Sequence, residues 1–407
     1  MEFKNLCQLS DITKMIKRGI TPKYAEKSNI QVINQRCIRD GIIYHEPIKF
    51  HDECKKIGEE KILQNYDVLV NSTGVGTLGR VSQFFDNSDK VFTADSHVTI
   101  LRANDNIDKL YFGYAIKEKE AFITSMGEGS TGQTELSRIR LGEEVLINIP
   151  ERKTQQRIAS ILSNLDSKIE INNKIISNLE SQAQAIFKSW FVDFEPFQDG
   201  NFVESELGMI PEGWEVKELG ELFKFVKGKK PKDLREKYED NFIPYIVKGV
   251  MDGSETPKFT NEINIVKIKK LDCFMLMDGA NSGNIYYGYD GALGSTFGLI
   301  EAKNQIYREL IYWQLKTNES IIKNQNTGSA IPHANKDFIS KMNVAIPINI
   351  EENEILKTLE NFRIKINSLN NQNTKLAELR DALLPKLMAG EIDVSNIKIE
   401  GEEVKNE

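Results

Sequence analysis

The sequence predicts an α+β chain in which two similar mixed α/β globules are joined by two long antiparallel coiled-coil helices, a pseudo-two-fold dumbbell. Three observations carry this. Residues 158–186 place Ile158, Leu162, Leu165, Ile169, Asn172, Ile176, Leu179, Ala183 and Ile186 at alternating steps of four and three, the spacing of a coiled-coil seam. The same steps return 197 residues further on as Ile355, Leu359, Phe362, Ile366, Leu369, Asn373, Leu376, Arg380 and Leu383. The segments ahead of the two seams also match in outline. Residues 67–74 resemble 272–279, Ser130, Thr131 and Gly132 align with Thr327, Gly328 and Ser329, and Ile149 and Pro150 align with Ile346 and Pro347.

Each seam implies a helix of roughly 30 residues, about 45 Å at 1.5 Å per residue. Neither can bury its apolar stripe alone, so the two are expected to pack together. Each seam holds one Asn, and a seam Asn is costly unless it meets a polar partner, so it fixes register. Antiparallel helices with Asn172 opposite Asn373 bring Ile158 to Leu387, Leu162 to Leu383, Ile169 to Leu376, Ile176 to Leu369 and Ile186 to Leu359. Small Ala183 meets large Phe362. The misfit is Leu165 against Arg380, whose aliphatic stem can lie along the seam with its head in water. A parallel pairing sets Asn172 against Leu369, a worse match.

In chain order, residues 1–150 form the first globule, with β-rich runs at 31–33, 67–70 and 97–101 broken by Gly, Asn, Asp and Ser. Residues 111–123 have helical spacing, and 147–150 read as a closing strand. Residues 151–195 hold the first long helix, ending near Trp190 in an aromatic hinge stopped by Pro196. Residues 196–349 form the second globule, entered through a loop over 200–213. Residues 350–391 hold the second long helix, and 392–407 are an acidic tail.

Length and composition fit two or three soluble domains: 407 residues, 28% charged, with enough apolar content for real cores. No apolar run reaches the length of a membrane span, and the start lacks a signal-peptide pattern. Four cysteines in so long a chain argue against a disulfide framework and for a reducing cytoplasm. A net charge of −7 neither announces nor excludes a nucleic-acid partner, because the local field at a surface matters more than the sum.

Candidate chemistry is sparse. Gly74, Gly76 and Gly79 fit GxGxxG after a strand, but a dinucleotide loop should open a helix and residues 80–85 read as another strand. Cys37, His45, His51 and Cys54 lie close in sequence without a zinc-site spacing, so no metal is expected. His97 and His333 have no evident nucleophile or carboxylate partner, and no GxSxG, HExxH or Walker loop occurs. No catalytic residue is expected.

Binding remains. Two like globules on a stiff rod suit a ligand with two separated half-sites, and double-stranded DNA fits, since its turn is about 34 Å. Each globule has polar, glycine-rich loops carrying residue types that read base edges. These are Asn71, Ser72, Thr73, Arg80, Gln133, Arg138 and Arg140 in the first, and Asn281, Ser282, Asn326, Ser329, His333 and Lys336 in the second. Lys227, Lys229, Lys230 and Lys232 form a basic run suited to phosphate.

Over essentially its whole length the chain resembles the specificity subunits of type I restriction-modification enzymes. The resemblance is carried by Ile210, Pro211, Glu212, Gly213 and Trp214 with Leu219, Gly220, Glu221 and Leu222; by the hinge Trp190, Phe191, Val192, Asp193 and Phe194; by residues 379–392; and by Gln155, Gln156, Arg157, Ile158 and Ala159 at the first helix entry. It implies two target-recognition domains that each read half of a split asymmetric DNA target. It implies helices that set the gap and dock two modification (methyltransferase) subunits carrying S-adenosylmethionine and methylating adenine. It implies restriction (motor-nuclease) subunits using ATP and Mg, and a specificity chain with no cofactor and no active site of its own. Two departures are visible. Glu351, Glu352 and Asn353 lack the usual Glu-Gln pair, and little N-terminal helix precedes the first globule.

Overall fold

The computed structural model describes residues 5–129, 134–328, 331–350 and 354–397. The chain divides into two compact units, Met1–Glu170 with Thr374–Glu407, and Ile171–Asn373. The division differs from the expected segments: it cuts both long helices, so each unit owns a globule and the helix portions packed on it.

The first unit is built on a central antiparallel sheet in the order Thr13–Arg18, Val98–Ala103, Val68–Asn71, Val81–Gln83. The two inner strands, Val98–Ala103 and Val68–Asn71, are buried on both faces because both faces are covered. Val68, Val70 and Leu101 point into a core with Tyr111, Phe112 and Ile116 of helix Lys109–Glu118, and with Ile158, Leu162, Leu384 and Leu387 of the long helices. Their neighbours Leu69, Val98 and Ile100 point the other way, into a core with Ile33, Cys37 and Phe92. A second sheet closes that side, in the order Val91–Ala94, Ile30–Ile33, Lys49–His51, Tyr24–Ala25, its first pair parallel.

The second unit repeats these layers. Its central sheet runs Phe223–Lys227, Phe297–Ala302, Cys273–Leu276, Ile285–Tyr286. Cys273, Met275 and Ile300 face a core with Leu310, Ile311, Ala183, Phe187 and Leu359, while Phe274, Leu276 and Leu299 face one with Ile246 and Leu293. The stretch 200–213 is not a plain loop: Phe202–Ser205 pairs with Gly208–Pro211 as a hairpin. Trp214 then packs its ring 5.7, 5.3 and 5.1 Å from those of Phe191, Phe194 and Phe197. Burying this aromatic hinge fixes how the chain leaves the first long helix.

The long helices are Arg152–Phe191 and Glu354–Ala389, of 40 and 36 residues. They are longer than expected, about 60 and 54 Å at 1.5 Å per residue. Pro385 sits inside the last turns of the second, and Gly390 at φ +75° ends it. Every expected seam residue is buried or half-buried. In the second unit Asn172 is fully buried and its amide donates to Asn373 Oδ1 and Gln372 Oε1, both at 2.8 Å. In the first unit Arg380 donates to Asp166 Oδ1 at 2.7 Å, and Tyr114 donates to Asp166 Oδ2 at 2.5 Å. Low numbers in one helix thus meet high numbers in the other, so the pair is antiparallel. The expected misfit at Arg380 does not arise, because Asp166 stands one residue beyond Leu165 and takes the guanidinium.

One polar device has no forerunner in the sequence reading. Arg363 of the second long helix is wholly buried, donating to Glu309 Oε1 at 2.8 Å and Leu271 O at 2.7 Å. Its guanidinium lies 4.4 and 4.2 Å from the ring centres of Tyr287 and Tyr312, a desolvated cation–π sandwich. Among the described residues no helix is long and apolar enough to cross a membrane.

Candidate nucleic-acid interface

In both units the central strand that is buried on both faces runs out into a surface loop, and backbone hydrogen bonds set the two loops in correspondence. Ser72 N donates to His97 O, and Leu136 N to Ser72 O; in the second unit Met277 N donates to Thr296 O, and Ala334 N to Met277 O. Gly79 N bonds back to Asn71 O as Gly283 N does to Leu276 O. Thr73 therefore corresponds to Asp278, and Glu135 to His333. Each pair also forms a β-bridge, Thr73 with Glu135 and Asp278 with His333.

In the first unit Thr73 Oγ1 lies 2.8 Å from His97 Nδ1 and donates to Gln35 Oε1 at 3.2 Å. Gly74 takes φ +101°, and a Cβ there would stand 2.9 Å from Gln35 Oε1, so only glycine admits this packing. Arg18, at the end of its strand, donates to Ser96 O, Glu135 Oε1 and Leu136 O at 3.2, 2.9 and 2.8 Å, tying two loops to that strand end. Burial lowers the Arg18 pKa from the usual guanidinium value, with the Glu135 carboxylate pulling the other way.

In the second unit Asp278 Oδ1 lies 2.7 Å from His333 Nδ1, which corrects the expectation that His333 lacks a carboxylate partner. Gly279 N donates to Pro332 O at 2.9 Å, and Gly328 sits at φ +92° where a Cβ would stand 2.4 Å from Ile331 O. Both contacts fold this loop close over the strand end.

The expected reading residues divide into three groups. Asn71, Ser72 and Ser282, expected as base contacts, are buried and bonded within the fold. Asn71 Nδ2 donates to Gln35 O at 2.9 Å, Ser72 Oγ lies 2.6 Å from Thr99 Oγ1, and Ser282 Oγ accepts from Asn326 Nδ2 at 2.8 Å. That bond also occupies Asn326. Arg80 folds back to Gly76 O at 2.7 Å, and Arg140 is neutralised by Glu144 at 2.6 Å and by Glu128. Arg138 in the first unit and Lys229, Lys230, Asn281, His333 and Lys336 in the second are exposed, and Thr73 in the first is half-exposed. Gln133 and Ser329 lie outside the described residues, as do Glu351, Glu352, Asn353 and residues 398–407 of the tail. Asn172 and Asn373 face each other in the helix pair, as given above.

Residues that sequence reasoning passed over are Arg18, Gln35, Glu135 and Asp278. The GxGxxG loop leads into strand Val81–Gln83 rather than a helix. The cysteine-histidine group disperses: His51 bonds to Lys23 N and Lys55 O at 3.1 and 3.0 Å, His45 packs edge-on to Phe92, Cys37 is buried and Cys54 exposed. Among the described residues no cluster of three or more His, Cys, Asp or Glu could hold a metal.

One architecture used twice, with corresponding backbone bonds at the strand ends and different side chains beside them, defines a protein made of two copies of one module. The family model for the type I restriction modification DNA specificity domain matches residues 1–181 and 211–379, and the chain belongs to that family. It is 33% identical over 195 residues to the type I restriction enzyme MjaVIII specificity subunit of Methanocaldococcus jannaschii, covering 47% of this chain and 45% of that one. The match thus spans less than half the length of that relative. It is 24% identical to the type I restriction enzyme HindI specificity subunit of Haemophilus influenzae, over 82% of this chain and 88% of that one. The crystal structure of a type I restriction-modification S subunit from M. genitalium shares the fold, with a TM-score of 0.60, 18% identity, and coverage of 94% and 96%.

Proposed function

We infer that each unit reads one half of a split, asymmetric double-stranded DNA target. On this reading the paired long helices set the gap between the halves and dock two modification subunits. Those partners supply the chemistry: S-adenosylmethionine-dependent adenine methylation, and restriction of unmodified DNA by ATP- and Mg-dependent subunits. This chain contributes recognition and holds no cofactor, and the assembly works in the cytoplasm.

The supporting observation is the duplication itself. The cores and backbone bonds of the two units correspond, while the residues at corresponding loop positions differ, Thr73 and Glu135 against Asp278 and His333. That is what two readers of unlike half-sites require. Arg138, Lys229, Lys230 and Lys336 are placed at the surface where phosphate contacts can form.

The test lengthens the helix pair. One heptad inserted after Asn172 and one after Gln372 keeps the seam in phase and adds about 10 Å at 1.5 Å per residue. Methylation mapping should return the same two half-sites with the gap longer by about three base pairs, at 3.4 Å each. An unchanged gap would refute the spacing role. Loss of one half-site only, on exchanging residues 1–150 for another globule, would support the division of labour.

A further inference from the structure

Two of the four histidines are held in a matching way, and the correspondence of the units exposes it. His51 is buried and spends both ring nitrogens on backbone, and His45 packs on Phe92. His97 and His333 are exposed, and each has its Nδ1 beside the residue two places beyond the end of the central strand, Thr73 at 2.8 Å and Asp278 at 2.7 Å. The histidines come from different loops, His97 from the turn before strand Val98–Ala103 and His333 from the segment before helix Lys336–Ser340. The holding position is the same.

We propose that His97 and His333 are base-edge contacts of the two half-sites, each ring oriented by the residue at this shared position. The proposal rests on the reading that the units recognise DNA, and it adds which atoms do so. A carboxylate only accepts, so Asp278 requires the proton of a neutral His333 on Nδ1 and leaves Nε2 as an acceptor. Thr73 directs its hydroxyl proton to Gln35 Oε1, which leaves its oxygen to accept from His97 Nδ1–H, with the same result. Among the described residues neither Nε2 has a hydrogen-bond partner. In the major groove an acceptor matches the amino groups of cytosine and adenine and mismatches guanine O6 and N7. A fixed ring with one free acceptor is a reading group, whereas a mobile lysine at the same place would seek phosphate.

The experiment uses the full chain assembled with its modification subunits, and maps methylation on a library of random duplexes. His333→Ala should relax the preference at one base pair of one half-site by roughly tenfold, the scale of a single mismatch. The other half-site and the gap should not change, and His97→Ala should do the same in the other half. Asp278→Asn is the sharper variant. Its amide can donate to Nδ1, which moves the ring proton to Nε2 and turns the acceptor into a donor. The preferred base at that pair should then shift toward guanine. The proposal is overturned if His97→Ala and His333→Ala fold, by melting, and keep every base preference. It is also overturned if they weaken methylation equally on all targets, since the rings then touch phosphate. A wild-type assembly that methylates without any sequence preference would overturn the recognition reading itself, which separates the two failures.

Discussion

Replacing Arg363 with Met tests how the second unit holds its long helix. The variant loses a 2.8 Å ion pair to Glu309, a 2.7 Å hydrogen bond to Leu271 O and two cation–π contacts. It leaves Glu309, 4% exposed, without its main counter-charge, and Glu309 Oε2 already lacks a hydrogen-bond partner. Breaking a buried pair from one side costs about 3–5 kcal/mol. For a unit of this size that is a fall in melting temperature of roughly 6–20 °C. Burial already pushes the Glu309 carboxyl above the ordinary range against the pull of Arg363. Without Arg363 its folded-state pKa rises further. A carboxyl whose folded pKa lies above its unfolded value stabilises most below the unfolded pKa and loses that as pH rises through the folded one. The deficit of the variant should therefore be smaller near pH 4.5 than at pH 8. Arg363→Met combined with Glu309→Leu should recover most of the loss, because an apolar replacement of the whole pair leaves no buried charge. Calorimetry across this pH range checks the series. A single variant melting within about 2 °C of wild type at pH 8 would refute the reasoning.

Three further outcomes are expected. Asn172→Leu alone should destabilise the helix pair by about 1–3 kcal/mol, since it leaves Asn373 facing an apolar side chain. Asn172→Leu with Asn373→Leu should raise stability yet loosen register, detected as a broadened distance distribution between spin labels on the two helices. Burial holds the Cys37 thiol up to about 11 and the Cys273 thiol up to about 12, so both are protonated and shielded at pH 8. Iodoacetamide should label exposed Cys54 while sparing these two until the chain is unfolded, as read by mass spectrometry.

The architecture was legible where a repeat and a period coincided. Seam spacing marked residues that bury against a second helix, and a seam Asn calls for a polar partner, which is why Asn172 and Asn373 could be set opposite each other from sequence. Polar residues beside the seam were not legible. Asp166 and Arg363 stand at the same place in the two helix copies, each turned to its own globule, and that shared place was the available signal. The loops were harder. Polar residues at a strand end, such as Asn71 and Ser72, look like surface chemistry, yet they donate to the backbone carbonyls of Gln35 and Val70 where the strand leaves a doubly covered sheet. The match of Thr73 with Asp278 lies within the alignment of residues 67–74 with 272–279, but the histidine held there does not, because His97 and His333 come from different loops.

The central strand with both faces walled in has a consequence for how such a protein can change. Its interior residues answer to two packed layers at once, so they tolerate little. The anchor position just past its end answers to neither. Mutation can trade threonine for aspartate there, and recruit a histidine from whichever loop lies near, while the scaffold beneath stays as it was. On the proposed reading, new preferences can arise in one module without renegotiating its fold.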